Sequence, residues 1–224
     1  MKVSTGMSRL DKMLGGGLPS NSVVLLSGGP GSGKTLFSLK YILEGARKGE
    51  KCCFITMNED KDGVIRACKS IKGLSDIEKY AGKNLAIEYI PMSQSNISVQ
   101  KFSEIITKYP QLDRVVIDNV NKLLMFSESE KSYRAYLVEI VSTLRNMKSS
   151  LLLCETDGEK SLDSGNFESY EADGVIQLMF LDLEEKPIRS LLVHKMRFTS
   201  FEPKVLHELK IDKNDVDIGE HKFL

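Results

Sequence analysis

The 224-residue chain predicts an α/β fold with a mostly parallel central sheet flanked by helices and with antiparallel strands at its C-terminal end. Three observations carry that expectation. Short continuous apolar runs recur between segments of helical periodicity, and a glycine-rich turn joins the first long run directly to a helix. The last third then switches to strand-like runs too closely spaced for crossover helices.

The first run is Val23 to Ser27, followed by a helix-like stretch from Leu36 to Ala46. Cys52 to Thr56, Leu85 to Ile90, Val115 to Asp118 and Leu151 to Cys154 come next, with helical periodicity over Ile97 to Tyr109 and Tyr133 to Met147. Runs rich in β-branched residues and lacking alternation suit strands covered on both faces, and repeated βα units imply right-handed crossovers. Gly174 to Leu183 and Ile188 to Met196 are separated only by Glu184-Glu185-Lys186-Pro187, which reads as an antiparallel hairpin. Val205 to Ile211 adds a further strand. The one long polar stretch, Asp157 to Tyr170, is long for a loop in a compact domain, so it is either functional or mobile.

Length fits one domain over residues 1–224. Lys plus Arg and Asp plus Glu both number 31, so no whole-molecule field favours nucleic acid or an acidic membrane face. Cys52, Cys53, Cys68 and Cys154 lack metal spacing and read as buried reduced thiols, with the adjacent pair pointing to opposite faces of a strand. No apolar stretch approaches the ~20 residues needed to span a bilayer, and the N-terminus lacks a secretory h-region. The expectation is a cytoplasmic protein with no membrane partner.

Gly28-Gly29-Pro30-Gly31-Ser32-Gly33-Lys34-Thr35 matches G-x-x-x-x-G-K-[ST] in the strand-loop-helix context that the motif requires. In the loop Gly29-Pro30-Gly31-Ser32-Gly33 the glycines let consecutive backbone N–H groups turn inward around a phosphate, Pro30 itself offering none, and the positive end of the helix that continues into Leu36 attracts the same charge. Lys34 reaches the β- and γ-phosphates, while the Thr35 hydroxyl holds magnesium. Arg114 to Asp118 is an apolar strand ending in an acid, which places Asp118 as the second metal-site residue; the alternative is that Asp118 and Asn119 simply begin a turn. Glu59, just past the strand after the P-loop helix, is the candidate base for water activation. The other reading makes Asn58 a helix N-cap with Glu59 and Asp60 in the first turn. Lys195 and Arg197 lie two apart on one side of an extended segment, suited either to stabilising a phosphoryl group or to guarding an edge strand.

A sheet that is parallel in the middle and antiparallel at one end, behind such a loop, is the RecA-like P-loop pattern. The chain resembles the KaiC-like branch of the RecA-fold ATPases over nearly its whole length. The resemblance rests on Ser4 to Pro19 before the P-loop, Arg114 to Asp118, Glu171 to Ile176, and Lys195-Met196-Arg197-Phe198-Thr199-Ser200. It implies ATP or ADP with Mg2+ as ligands and a homo-oligomeric ring, usually a hexamer. In such a ring Lys195, Met196, Arg197 and Thr199 face the nucleotide of the neighbouring subunit. It also places Ser70 and Asp212 at nucleotide-contacting positions. Two departures stand out: Asn58 replaces the first of a glutamate pair, and Phe201 stands where a His often follows the late motif.

The expected function is that of a slowly hydrolysing, ring-forming ATPase whose nucleotide state controls conformation or assembly, with Lys34, Glu59, Lys195 and Arg197 carrying the chemistry. The alternative is a nucleotide-gated scaffold with negligible hydrolysis that signals to a protein partner of unknown identity. A third reading, a DNA-repair accessory of the recombinase type, meets an acidic 157–170 loop that repels phosphates, although Phe167 and Tyr170 offer stacking faces.

Overall fold

In the computed structural model, residues 1–91, 99–158, 161–183 and 186–223 are described. Ile97 and Ser98 of the helix expected over Ile97 to Tyr109, the hairpin turn at Glu184 and Glu185, and Glu159 and Lys160 of the polar loop lie outside them. The elements in order are β1 (Lys2–Val3), α1 (Ser8–Met13), β2 (Leu18–Pro19), β3 (Ser22–Gly28), α2 (Lys34–Arg47), β4 (Cys52–Thr56) and α3 (Lys61–Lys69). Then come β5 (Leu85–Tyr89), α4 (Val99–Lys108), β6 (Arg114–Asp118), α5 (Glu130–Leu144), β7 (Ser149–Glu155) and α6 (Glu168–Glu171). The chain closes with β8 (Gly174–Leu183), β9 (Lys186–Met196), β10 (Leu206–Ile211) and β11 (Val216–Phe223). A 3-10 segment, Val120–Phe126, follows β6.

Nine strands form one sheet in the order β11-β10-β9-β8-β3-β7-β6-β4-β5. From β8 to β5 neighbouring strands run parallel, whereas β8-β9, β9-β10 and β10-β11 are antiparallel. The expected mixed sheet is therefore present. Alternate residues of the central strands enter two separate cores: Val24, Leu26, Phe54 and Val116 pack with α1 and α2, while Val23, Leu25, Ile55 and Ile117 pack with α4 and α5. Cys52 and Cys53 divide between those cores, and all four thiols are buried and unpaired. Burial in apolar surroundings pushes the Cys52 and Cys53 thiols up to about 12, so they stay protonated near neutral pH.

Several expectations change in detail. The polar stretch after Asp157 contains the short α6 from Glu168, and Glu168 is buried beneath it, accepting from the Tyr133 hydroxyl at 2.7 Å and from Ser164 at 2.5 Å. The N-cap of α3 is Asp60, whose side chain accepts from the Gly63 N–H at 2.8 Å, not Asn58. Glu59 therefore precedes the helix and does not sit in its first turn. β11 was not anticipated; it binds the outer edge of β10 and carries Val216 and Ile218 into the core.

The N-terminal segment seals one end of this core. Asp11 accepts from the Thr5 N–H at 2.8 Å and from the Thr5 hydroxyl at 2.7 Å, tying the first loop onto α1. Gly17 is required where β2 meets β1: its φ is +119°, and a Cβ there would lie 2.2 Å from the Val3 carbonyl oxygen.

Candidate nucleotide site

The P-loop emerges from the middle of the sheet, at the C-terminal end of β3, and turns into α2. Gly28, Gly31 and Gly33 have φ of +152°, +73° and +104°, values that L side chains rarely adopt. Gly33 is also the N-cap of α2, with no side-chain cap and no acidic residue in the first turn. The first N–H groups of a 14-residue helix are thus left for an external acceptor. The Ser32 hydroxyl, 1 % exposed, has no hydrogen-bond partner among the described residues. A buried orphan hydroxyl beside the uncapped N-terminus of α2 is what a bound phosphate would complete, so the residues present fit a nucleoside polyphosphate.

Lys34 spans the loop, donating from Nζ to the carbonyls of Gly28 at 2.7 Å and Gly29 at 2.9 Å. Burial pulls its ammonium down, opposed by the negative charges of Glu155 and Asp118. The Thr35 hydroxyl donates to Asp118 Oδ2 at 2.8 Å. Asp118 is 2 % exposed, and burial pushes its carboxyl up against the pull of Thr35 and Lys34. A hydroxyl and a carboxylate in contact at the end of such a loop fit a divalent cation held beside a polyphosphate.

Sheet order brings further residues to this edge. β4 lies beside β6 with Thr56 opposite Asp118, so the turn after β4 lies next to Asp118. Here Asn58, not Glu59, touches Asp118: its Nδ2 donates to Asp118 Oδ1 at 2.8 Å. Lys122 in turn donates to Asn58 Oδ1. Glu59 is exposed, and its carboxylate lies over Gly63 of α3, in a shallow groove shared with Ser70. The Ser70 hydroxyl donates to the Ala67 carbonyl at 2.7 Å. Leu36 is half-buried against the core.

Two residues at this edge escaped the sequence reading. Arg189, on β9, donates from Nε to the Gly31 carbonyl at 3.1 Å and stacks its guanidinium 5.3 Å from the Phe180 ring centre. It reaches the P-loop because β8 and β9 extend beyond the end of β3, an overhang that no local signal reveals. Glu155 ends β7 opposite Gly28, and here a signal existed: Leu151 to Glu155 repeats the apolar-strand-then-acid pattern used to find Asp118. On the α2 side, Ile211 of β10 closes over Gly33, where a Cβ would come within 2.4 Å of its Cδ1. Neighbouring Asp212 turns inward on its own hairpin, accepting from the N–H groups of Asn214 at 2.7 Å and Asp215 at 3.1 Å. Asp215 pairs with buried Lys40 of α2 at 2.6 Å, tying that hairpin to the P-loop helix.

The late motif lies elsewhere. Met196 pairs with Gly174, and Gly174 pairs with Val24, four residues before Gly28 on β3. At about 3.3 Å per residue, the motif sits roughly 13 Å or more from its own P-loop along the strand. Met196 is buried, whereas Lys195 and Arg197 face outward. Lys195 donates to the Ala172 carbonyl at 2.7 Å, and Arg197 pairs with Asp173 at 3.1 Å. Thr199 accepts from Lys2. Phe201 packs partly against the core. Phe167 stacks beneath Arg134, 4.6 Å from guanidinium to ring centre, and meets Tyr170 at 5.7 Å.

Asp173 organises that end. Burial alone would raise its carboxyl, yet hydrogen bonds from Arg145, the Val23 N–H and Arg197 hold it below the usual carboxylate value. A depressed folded-state value contributes stability above the unfolded-chain value and loses it as pH falls through the folded one. In urea titrations the wild-type midpoint is expected to fall below about pH 4, and Asp173→Asn is expected to shrink that fall, since Asp76 and Glu88 are held low as well, while lowering the neutral-pH midpoint.

The comparisons with known proteins bear directly on this arrangement. The family description "ATPase: KaiC" matches residues 3–223. The chain belongs to the KaiC ATPase family. A KaiC-like protein from the hyperthermophilic archaeon Pyrococcus horikoshii has the same fold, with a TM-score of 0.85 at 29 % identity, covering 98 % of this chain and 99 % of that one. A UPF0273 protein of Thermotoga maritima is 29 % identical across 89 % of this chain and 88 % of its own length. The circadian clock protein KaiC3 of Synechocystis is 25 % identical across 98 % of this chain, but the match spans only 44 % of that longer protein. Membership in this family implies use of a nucleotide. No helix among the described residues is long and apolar enough to cross a membrane.

Proposed function

We propose that this KaiC-family chain binds ATP with Mg2+ at the P-loop, hydrolyses it slowly, and uses the bound nucleotide to control assembly of a homo-oligomeric ring. The observation that carries this reading is the Thr35–Asp118 contact at 2.8 Å beside the Lys34 ammonium, which joins the two halves of a triphosphate and metal site. When bound, the metal neutralises charge on the terminal phosphates. Lys34 grips the phosphate oxygens, Thr35 and Asp118 hold the ion, and Ser32 and the first N–H groups of α2 complete the cradle. Glu59 is the carboxylate assigned to water activation. Ser70 and Asp212 take secondary nucleotide contacts at the rim.

Lys195 and Arg197 cannot reach their own P-loop, given the register of β9, so their action on phosphate requires a second copy of the chain. In a ring, usually of six copies in this family, they complete the neighbour's site, with Met196 and Thr199 shaping the same segment. The test is phosphate release by variants measured singly and mixed. Arg197→Ala and Lys34→Ala are each expected to lose at least tenfold in turnover. Mixing them should restore activity above the sum, because a Lys34→Ala subunit still offers Arg197 to its neighbour. Additive activity would reject the shared site, and full activity of Glu59→Gln would remove Glu59 from the mechanism.

A second reading is favoured by one observation: the side chain that the turn after β4 brings against Asp118 is an amide, Asn58, which is no general base. On that reading the chain is a nucleotide-gated scaffold that passes its state to a protein partner. Light-scattering mass in ADP, in ATP and in a non-hydrolysable analogue decides. The scaffold requires ATP-dependent assembly with negligible phosphate release over hours.

A further inference from the structure

The turn after β4 and the 3-10 segment after β6 carry two polar residues, Asn58 and Lys122, to which the ATPase reading gives no role, and they join a chain that ends at Thr35 and Asp118. Lys122 Nζ donates to Asn58 Oδ1 and approaches the Met57 carbonyl at 3.5 Å; Asn58 Nδ2 donates to Asp118 Oδ1 at 2.8 Å; Thr35 donates to Asp118 Oδ2 at 2.8 Å. The two ends of the Asn58 amide are thereby made unequal. Flipping it would turn its oxygen toward a carboxylate and its NH2 toward an ammonium, and both contacts would be repulsive. The amide is held with nitrogen toward the metal side, and one of its two N–H groups remains to donate elsewhere. Lys122 adds a positive charge within reach of the same place, since its field is felt at Asp118.

A fixed amide donor backed by an ammonium, beyond the Thr35–Asp118 pair, favours one additional anionic group at that end of the cradle. The difference between a nucleoside triphosphate and a diphosphate is one such group. We propose that Asn58 and Lys122 form a triphosphate-sensing pair: Asn58 donates to the terminal phosphate, and Lys122 is a positioning residue that fixes the Asn58 amide and supplies charge. This rests on nucleotide binding at the P-loop. It extends that reading by assigning the selection of triphosphate over diphosphate to Asn58, where the family commonly has a glutamate, and to Lys122, which lies outside the motifs. An orienting lysine also explains why a neutral amide sits against a magnesium-site carboxylate: the pair makes a detector of the terminal phosphate where a glutamate would make a base.

The experiment is calorimetric titration of the full chain, with Mg2+ present, using ADP and a non-hydrolysable ATP analogue. Wild type is expected to bind the analogue at least tenfold more tightly than ADP. Lys122→Met and Asn58→Ser should each bring that ratio down by about tenfold, the scale of one hydrogen bond to a charged group, with ADP affinity changed less than threefold. Lys122→Arg should restore the ratio, because it keeps the donor and the charge. Thermal melts without nucleotide serve as the folding check, and Asn58→Ser provides the second variant should Lys122→Met unfold. A parallel fall in both affinities would assign the pair a structural role and overturn the proposal, as would an unchanged ratio in both variants. Wild type that binds neither nucleotide overturns the P-loop reading itself, an outcome distinct from binding both equally, which overturns only the sensor.

Discussion

Lys34→Ala is expected to weaken binding of Mg-ATP by a hundredfold or more while leaving the fold intact. Lys34 is 7 % exposed and its ammonium is already oriented by the Gly28 and Gly29 carbonyls, so a phosphate entering the cradle meets it with little further ordering cost. A hydrogen bond to a charged group contributes about 1.5–3 kcal/mol, and a loss of about 2.8 kcal/mol is a hundredfold in affinity. Removing the side chain exposes loop carbonyls that water can satisfy, so the melting temperature should move little. Calorimetry against Mg-ATP checks the first effect and a thermal melt the second. Retained affinity in a folded variant would show that the loop grips nothing through this residue.

Arg114→Ala is expected to lower folding stability by about 3–5 kcal/mol, the range for breaking one partner from a buried ion pair. Arg114 is 1 % exposed. Its Nε donates to Glu50 at 2.5 Å, its Nη1 donates to the carbonyls of Ser4 at 2.7 Å and Tyr41 at 3.1 Å, and its guanidinium lies 4.7 Å from the Tyr41 ring centre. One side chain thus clamps the N-terminal segment, α2 and the start of β6 together. Truncation leaves Glu50 without its closest cation, takes the Arg114 donor from the Ser4 carbonyl and the added donor from the helical Tyr41 carbonyl, and empties space beside Gly45, where a Cβ would already touch Arg114 Nε at 2.5 Å. For a chain of this size, the melting temperature should drop on the order of 10 °C. A urea midpoint within error of wild type would mean that the clamp is dispensable.

The contrast between these two residues shows what was legible. Cys52–Thr56 and Gly174–Leu183 end where the sequence reading ended them, because buried strands are continuous apolar runs bounded by polar residues. Strand β11 escaped because an edge strand with one wet face carries a diluted pattern: Val216 and Ile218 alternate with Asp217 and Gly219. Arg114 was seen only as the first residue of a strand. Nothing local announces that a strand-end arginine will be enclosed by a helix and an N-terminal loop 110 residues earlier in the chain. Asp60 displaced Asn58 as the helix cap because Asn58 is drawn to Asp118, a competition invisible without the neighbouring strand.

The candidate phosphate loop is written in consecutive residues, since the glycine conformations, the uncapped start of α2 and the adjacent Lys34 and Thr35 are set by local backbone geometry. The placement of that loop's neighbours is a property of strand order and register. Asn58 and Lys122 meet at Asp118 because β4 pairs beside β6. Arg189 reaches Gly31 because β9 overhangs β3, and Lys195 and Arg197 stand at the far end because β8 and β9 run antiparallel. Short-range torsional preferences can be summed along a chain. Contacts between residues 60 or 158 positions apart depend on which strands lie side by side, and that choice is made by burying two apolar faces at once.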